Sequence, residues 1–277
     1  MMTLEESVAK HYGKHDVLNN ILGALKRAGF DRSALNPEDL SPVDEFHTGG
    51  VLATEALLSQ IHIPPNARVL DIGSGIGGTA RHVAKNFGAR VVGVDLTEAY
   101  VETAQFLSSA VDLNELTKFH AGNATDLPVM DQTFDLALMF HVGMNIEDKA
   151  ALFRSVSRAL TPNGTFAIFD VMREDETMDV MFPVPWAERD QTSFVASPAA
   201  YRDLAQAAGF RLLSERDRRD FALNYFRSVI EGLEADGPPA LGIHLLMGET
   251  AAEKIQNYVA NLRAGSLAPR EMIFRKL

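Results

Sequence analysis

The sequence holds no cysteine in its 277 residues. That absence removes disulfide scaffolds, thiolate zinc sites, iron–sulfur clusters and cysteine nucleophiles together. Nor is there an uncharged apolar run of about 18 residues, the length a membrane-crossing helix needs. The opening Met1-Met2-Thr3-Leu4-Glu5-Glu6 is acidic and lacks the basic-then-apolar order of a secretory signal. A soluble, cytoplasmic protein is the expectation. Positive charge is also short, with 26 Lys+Arg against 37 Asp+Glu and a formal net charge of −11. Nucleic-acid phosphates are held by basic surfaces, so nucleic acid is not the expected partner. Apart from His11 and His15, which stand four residues apart before Asp16, the eight histidines are scattered. No metal site is expected from them.

What is present is globular. Hydrophobic residues make up 46% and charged residues 23%, close to the usual proportions of about 45–50% and about 25%. A chain of this length buries a full core without covalent staples. Residues 1–65 read as a helical cap. Asp16 caps a helix whose Val17, Leu18, Ile21, Leu22 and Leu25 share one face, and Gly29 marks its end. A polar loop is expected over Asn36-Pro37-Glu38-Asp39-Leu40-Ser41-Pro42, then a second helix over about residues 51–61.

From Arg68 the rhythm changes. β-branched runs at Val69–Ile72, Val91–Asp95, Thr117–His120, Phe134–Phe140 and Thr165–Val171 alternate with helical stretches. Between the last two runs a helix capped by Asn145 is expected, stopped by Thr161-Pro162-Asn163-Gly164. Residues 174–197 lack a period. A helix from Ser197-Pro198, a sixth strand at Phe210–Leu213, helices near 220–235 and 249–264, and a short strand at Met272–Arg275 follow. The pattern predicts an α/β fold, with a doubly wound, seven-stranded, mostly parallel Rossmann-like sheet whose last strand is antiparallel. The expected domains are a cap over 1–65 and a main unit over 66–277 with a helical insertion at about 220–265.

The glycine loop Asp71-Ile72-Gly73-Ser74-Gly75-Ile76-Gly77-Gly78 ends the first strand and opens a helix. Glycines let backbone amides approach a ligand closely, and a helix N-terminus adds unpaired N–H groups. Asp95 ends the next strand, where a carboxylate can accept ribose hydroxyls. The loop fits G-x-G-x-x-G, the dinucleotide fingerprint, and equally D-x-G-x-G-x-G. Downstream, Gly122-Asn123-Ala124-Thr125-Asp126-Leu127-Pro128 follows the third strand and Phe134-Asp135-Leu136 opens the fourth.

Together these segments resemble the core of the class I methyltransferases that use S-adenosylmethionine (SAM). Asp44-Glu45-Phe46-His47-Thr48-Gly49-Gly50 and Phe182-Pro183-Val184-Pro185-Trp186-Ala187 extend the likeness to small-molecule methyltransferases of the ubiquinone/menaquinone-biosynthesis and sarcosine/phosphoethanolamine type. The resemblance implies that Gly73, Ser74, Gly75 and Gly77 surround the methionyl and ribose parts of SAM. It implies further that Asp95 holds the ribose, Leu96 packs on adenine, and Asn123 with Ala124 reads the adenine edge. Many relatives carry Asp where this chain has Asn123.

Methyl transfer from a sulfonium is an in-line displacement, so the protein must position the acceptor and manage its proton. His141, just past the fourth strand, is the candidate base, or else a cofactor contact. His47 and Tyr12 of the cap are further catalytic candidates. Trp186 and Phe182 are candidate acceptor contacts, with an aromatic core anchor as the other reading of Trp186. Arg81 reads as a cap-docking or surface residue. The expected reaction is SAM-dependent methylation of a small-molecule amine, without metal, with C- or O-methylation of a quinol, phenol or natural-product scaffold as the alternative.

Overall fold

The β-branched runs do become strands. The computed structural model describes residues 16–31, 34–237, 239–247 and 250–277. Seven strands form one sheet: β1 (Arg68–Ile72), β2 (Arg90–Asp95), β3 (Thr117–Ala121), β4 (Phe134–Phe140), β5 (Leu160–Arg173), β6 (Phe210–Asp217) and β7 (Leu267–Lys276). Their order is β3-β2-β1-β4-β5-β7-β6. The first five are parallel, and β7 runs antiparallel to both β5 and β6. The helices are α1 (Val17–Arg27), α2 (Pro37–Asp44), α3 (Val51–Leu58), α4 (Gly78–Phe87), α5 (Glu98–Ala110), α6 (Lys149–Ala159), α7 (Pro198–Ala207), α8 (Arg219–Asp236), α9 (His244–Met247) and α10 (Ala251–Ala264).

Side chains alternate across a strand, so each central strand feeds two cores. Val69, Leu138 and Phe169 pack on one face with α3 and α4, while Leu70, Met139 and Ile168 pack on the other with α6 and α7. Phe153 of α6 shows what this burial is worth. Its ring lies 5.7 Å from Phe166 and 6.2 Å from Phe274, which ties α6 to β5 and β7. Truncating such a buried ring costs about 3–5 kcal/mol. A third cluster joins Ile21, Leu25 and Leu40 of the cap to Leu107 of α5. Because β1 to β4 are parallel, their carboxyl ends open on one edge, where α/β folds bind ligands.

Three local expectations change. Residues 37–44 form α2 instead of a loop: Pro37 takes the first helical position, and the Asn36 N–H donates to Asp39 Oδ2 at 2.8 Å. The helix between β4 and β5 is capped by Asp148, which accepts from Ala151 N at 2.8 Å. Asn145 instead sits in a 3-10 turn, Gly143–Asn145. Finally, α6 ends at Ala159, just before Thr161-Pro162-Asn163-Gly164 as expected, with Asn163 left-handed at φ +62°, but the last strand, β7, spans ten residues instead of a short Met272–Arg275. Its register with nine residues of β5 supplies the ladder that keeps those residues extended.

Candidate functional site

The loop after β1 is held from behind by β2. Gly73 N and Ser74 N both donate to Val94 O, at 2.8 and 3.1 Å, and Gly75 N donates to Asp95 Oδ2 at 2.8 Å. Gly75 has φ +53°, and a Cβ built on it meets nothing within 4 Å. Its backbone therefore borders open space that a side chain would fill. The other Asp95 oxygen, Oδ1, accepts from Thr97 N at 2.8 Å. Burial raises the Asp95 pKa, opposed by the Thr97 and Gly75 N–H groups. Each carboxylate oxygen still has a second lone pair to offer a hydroxyl.

Asp71, at the end of β1, is buried, and its Oδ2 has no hydrogen-bond partner among the described residues. Burial, Glu45 and Asp95 push its pKa up to about 8, so it carries a proton at neutral pH.

The cap presses on this edge. Arg81 of α4 is 1% exposed and grips Asp44 through Nη2 to Oδ1 at 2.5 Å and Nε to Oδ2 at 3.2 Å. Burial raises Asp44 to about 6 against the pull of Arg81. Arg81 is thus a cap-docking residue. Next to it, Glu45 Oε2 lies 2.8 Å from His47 Nε2 and accepts from Thr79 Oγ1 at 2.9 Å and Thr54 Oγ1 at 3.2 Å. Burial works to raise the Glu45 pKa, but His47 and Thr79 outweigh it and the net shift is downward. One carboxylate oxygen thereby fixes the His47 ring.

His141 follows β4 in a left-handed conformation, φ +53°. Few non-glycine residues adopt it, and those that do cluster at functional sites. Its own N–H donates to Phe169 O at 2.8 Å, which holds the bend. The residue is half-buried, its ring 5.0 Å from Phe169 and 5.9 Å from His47. Nε2 has no hydrogen-bond partner among the described residues. Burial, then His47, holds its pKa well below 6.5, so the imidazole is neutral at pH 7.

These groups line a cavity of about 570 Å³, within the range of about 300–1,000 Å³ common for small-molecule sites. Gly73, Ser74, Gly75, Asp95, Leu96, Asn123, Ala124, His47, His141 and Trp186 all lie on its wall. Asn123 Oδ1 accepts from Thr125 N at 3.0 Å, which closes a local turn and leaves one lone pair. Two of the sequence candidates lie elsewhere. A Cβ on Gly77 would stand 2.7 Å from the Phe119 ring and 2.8 Å from Arg81 Nη1, so that glycine serves close packing and is not on the wall. Phe182 packs against the cluster that contains Trp186 and is also off the wall. Tyr12 lies outside the described residues.

Sequence reasoning missed Glu45 and Tyr258 as wall groups. The Glu45-x-His47 spacing was the one available signal for the first. Thr48 Oγ1 donates to Tyr258 OH at 3.1 Å across 210 residues of chain, and no local pattern announces that contact.

Comparison with known proteins agrees with this geometry. Residues 70–168 match the family described as methyltransferase domain. The chain is 30% identical to phosphoethanolamine N-methyltransferase 3 of Arabidopsis thaliana over 189 residues, 68% of this chain and 38% of that protein. It therefore spans well under half of that relative's length. It is 27% identical to the O-methyltransferase resE of Aspergillus sclerotiorum, over 79% of this chain and 82% of that one. Among solved structures, Haemonchus contortus phosphoethanolamine N-methyltransferase 2 in complex with S-adenosyl-L-methionine superposes with a TM-score of 0.71 at 16% identity. That match covers 100% of this chain and 60% of the other. With a Rossmann-like sheet, a glycine loop clasped by Asp95 and this family match, residues 70–168 form a methyltransferase domain of the class I, SAM-dependent type.

Proposed function

We propose that the chain transfers a methyl group from SAM to an amine nitrogen of a small molecule. The observation that carries this reading is the half-buried, neutral His141, which stands on a cavity wall shared with the glycine loop and whose buried Nε2 lacks a hydrogen-bond partner among the described residues. SAM, when bound, supplies a methyl group already activated on a sulfonium. The chain's own residues bind and orient. Asp95 takes the ribose hydroxyls through its remaining lone pairs, Gly73, Ser74 and Gly75 border the methionyl part, and Leu96, Asn123 and Ala124 receive the adenine.

His141 accepts the proton that the acceptor gives up, because a neutral imidazole has a lone pair to offer. His47, set by Glu45, keeps a second imidazole beside it. In this reading residues 1–65 form the cap and 66–277 the methyltransferase domain, with the helical insertion at about 220–265 closing the acceptor side.

Release of S-adenosylhomocysteine from SAM in the presence of secondary amines tests the proposal, and release with hydroxyl acceptors alone would overturn it. That second reading, O-methylation, draws on the same neutral imidazole and on the O-methyltransferase relative that aligns with most of both chains.

A further inference from the structure

The reacting atom of an acceptor meets the histidines, and the rest of it meets a different wall. We propose that the acceptor is a ring-bearing, largely apolar molecule seated on an aromatic corner made by Trp186, Phe226 and Tyr258. A compact amine carrying phosphate or carboxylate does not suit that corner. The inference rests on reading the cavity as a methyl-acceptor site.

Tyr258 of α10 is the apex of the corner. The Trp186 ring lies 5.5 Å from it at 84°, and the Phe226 ring 5.6 Å from it at 89°, so both neighbours stand edge to face against one ring. Tyr225 continues the array, 5.4 Å from Phe226 at 70°. Trp186, Phe226 and Tyr258 are buried in one cluster yet line the cavity, so the ring edges and faces they turn to it can meet another ring at offset or edge-to-face angles. The corner has few polar atoms left to offer. Trp186 Nε1 donates to Ser193 Oγ at 2.9 Å, and Tyr258 OH accepts from Thr48 Oγ1 at 3.1 Å and keeps its own proton to donate. What these side chains offer a ligand is therefore mostly apolar surface. Leu246 and Met247 of α9 extend it on the same cavity wall.

Position and charge agree. Thr48 adjoins His47 in the chain, so the corner runs directly into the histidine pair, and a ring held there brings its substituent toward His141. The wall also carries Glu45 and Asp95, while among the described residues no Lys or Arg lines it. A phosphate or carboxylate drawn into that surface would lose its water beside acids, which is costly. A protonated amine on an aromatic ring would be favoured by the quadrupole of the ring face.

Trp186 is the sole tryptophan of the sequence, so its fluorescence reports occupancy of this corner. The experiment titrates the full chain, saturated with S-adenosylhomocysteine, with tetrahydroisoquinoline, propylphenol, sarcosine and phosphoethanolamine, and runs parallel turnover with SAM. Saturable fluorescence changes are expected for the two ring compounds, with affinity at least about tenfold above that for sarcosine.

Turnover of sarcosine or phosphoethanolamine, with both ring compounds inert, would overturn the ring inference and leave the amine reading standing. Methylation of propylphenol but not tetrahydroisoquinoline would support the ring inference and overturn the amine reading. A Trp186 signal unmoved by either ring compound would overturn the inference by itself. The half-buried Tyr225→Ala is expected to weaken ring binding by about fivefold or more, from lost apolar contact, with S-adenosylhomocysteine affinity unchanged. Unaltered ring affinity in that variant would place the acceptor elsewhere.

Discussion

The two sides of the cavity are built by different means. The side proposed for the donor comes from consecutive turns at the carboxyl ends of β1 to β4, held mostly by backbone groups: Gly73 N and Ser74 N on Val94 O, Gly75 N on Asp95. The acceptor side is made of side chains from the 174–197 segment, α8, α9 and α10, joined to the cap through Thr48 and Tyr258. Residues 70–168, the matched domain, contain the first side and none of those segments. Backbone recognition depends on conformation, so a short glycine motif is enough to encode it. Side-chain recognition needs distant segments to converge, and each can change without disturbing the sheet.

Substitutions test that division, beginning with the donor side. Gly75→Val is expected to abolish SAM binding, since the loop position has positive φ and a branched side chain would occupy the space its backbone borders. Retained affinity by calorimetry would break the assignment of the loop. Asp95→Ala removes the anchor of Gly75 and Thr97 together with the ribose acceptor. A loss of about 100-fold in SAM affinity is expected, because charge-assisted hydrogen bonds disappear.

His141→Ala should separate the two sides. Its expected signature is a fall of about 10²–10⁴ in kcat, the usual contribution of a general base, with SAM affinity little altered. A loss confined to SAM affinity would move His141 to the donor side.

The pH profile sharpens the same point. Burial and His47 depress the His141 pKa, so the proposed base is neutral at pH 7, and kcat, which is free of the unbound amine's own titration, is expected to fall only well below pH 6.5. A fall already beginning above that value would show a different base.

The smallest effect concerns stability. Asp71 has its folded pKa raised from 3.8 to about 8, so its contribution is fully present below pH 3.8 and is lost as pH rises through about 8. Asp71→Asn is expected to gain thermal stability relative to the parent at pH 8, and to show no such gain at pH 4. Equal behaviour at both pH values would remove the burial argument.

Much of this was legible in the sequence, for physical reasons. Val69–Ile72, the glycines and Asp95 are local signals, since strand propensity and positive φ act over a few residues. The return of the last strand to the sheet also followed, because an apolar run at Met272–Phe274 after two helices has to be buried somewhere. The helix at Pro37–Asp44 was hidden by its polar composition and by Pro42 within it. Glu45 acquires its role only when Thr54 and Thr79 converge on its Oε2, which requires the cap to dock on α4. Phe182 lies close to Trp186 in the chain but is off the cavity wall, and adjacency in sequence carries no information about which ring faces a cavity.

The place of β7 has a consequence for the order of assembly. Among the described residues β6 pairs with β7 alone, and β7 also pairs with β5. During synthesis β6 emerges first and must wait, unpaired, while α8 to α10 are made. Only when Leu267–Lys276 threads between the two strands does either edge find its partner. Losing that one strand would leave a second without its partner, so completion of the sheet is an all-or-nothing event that waits on β7.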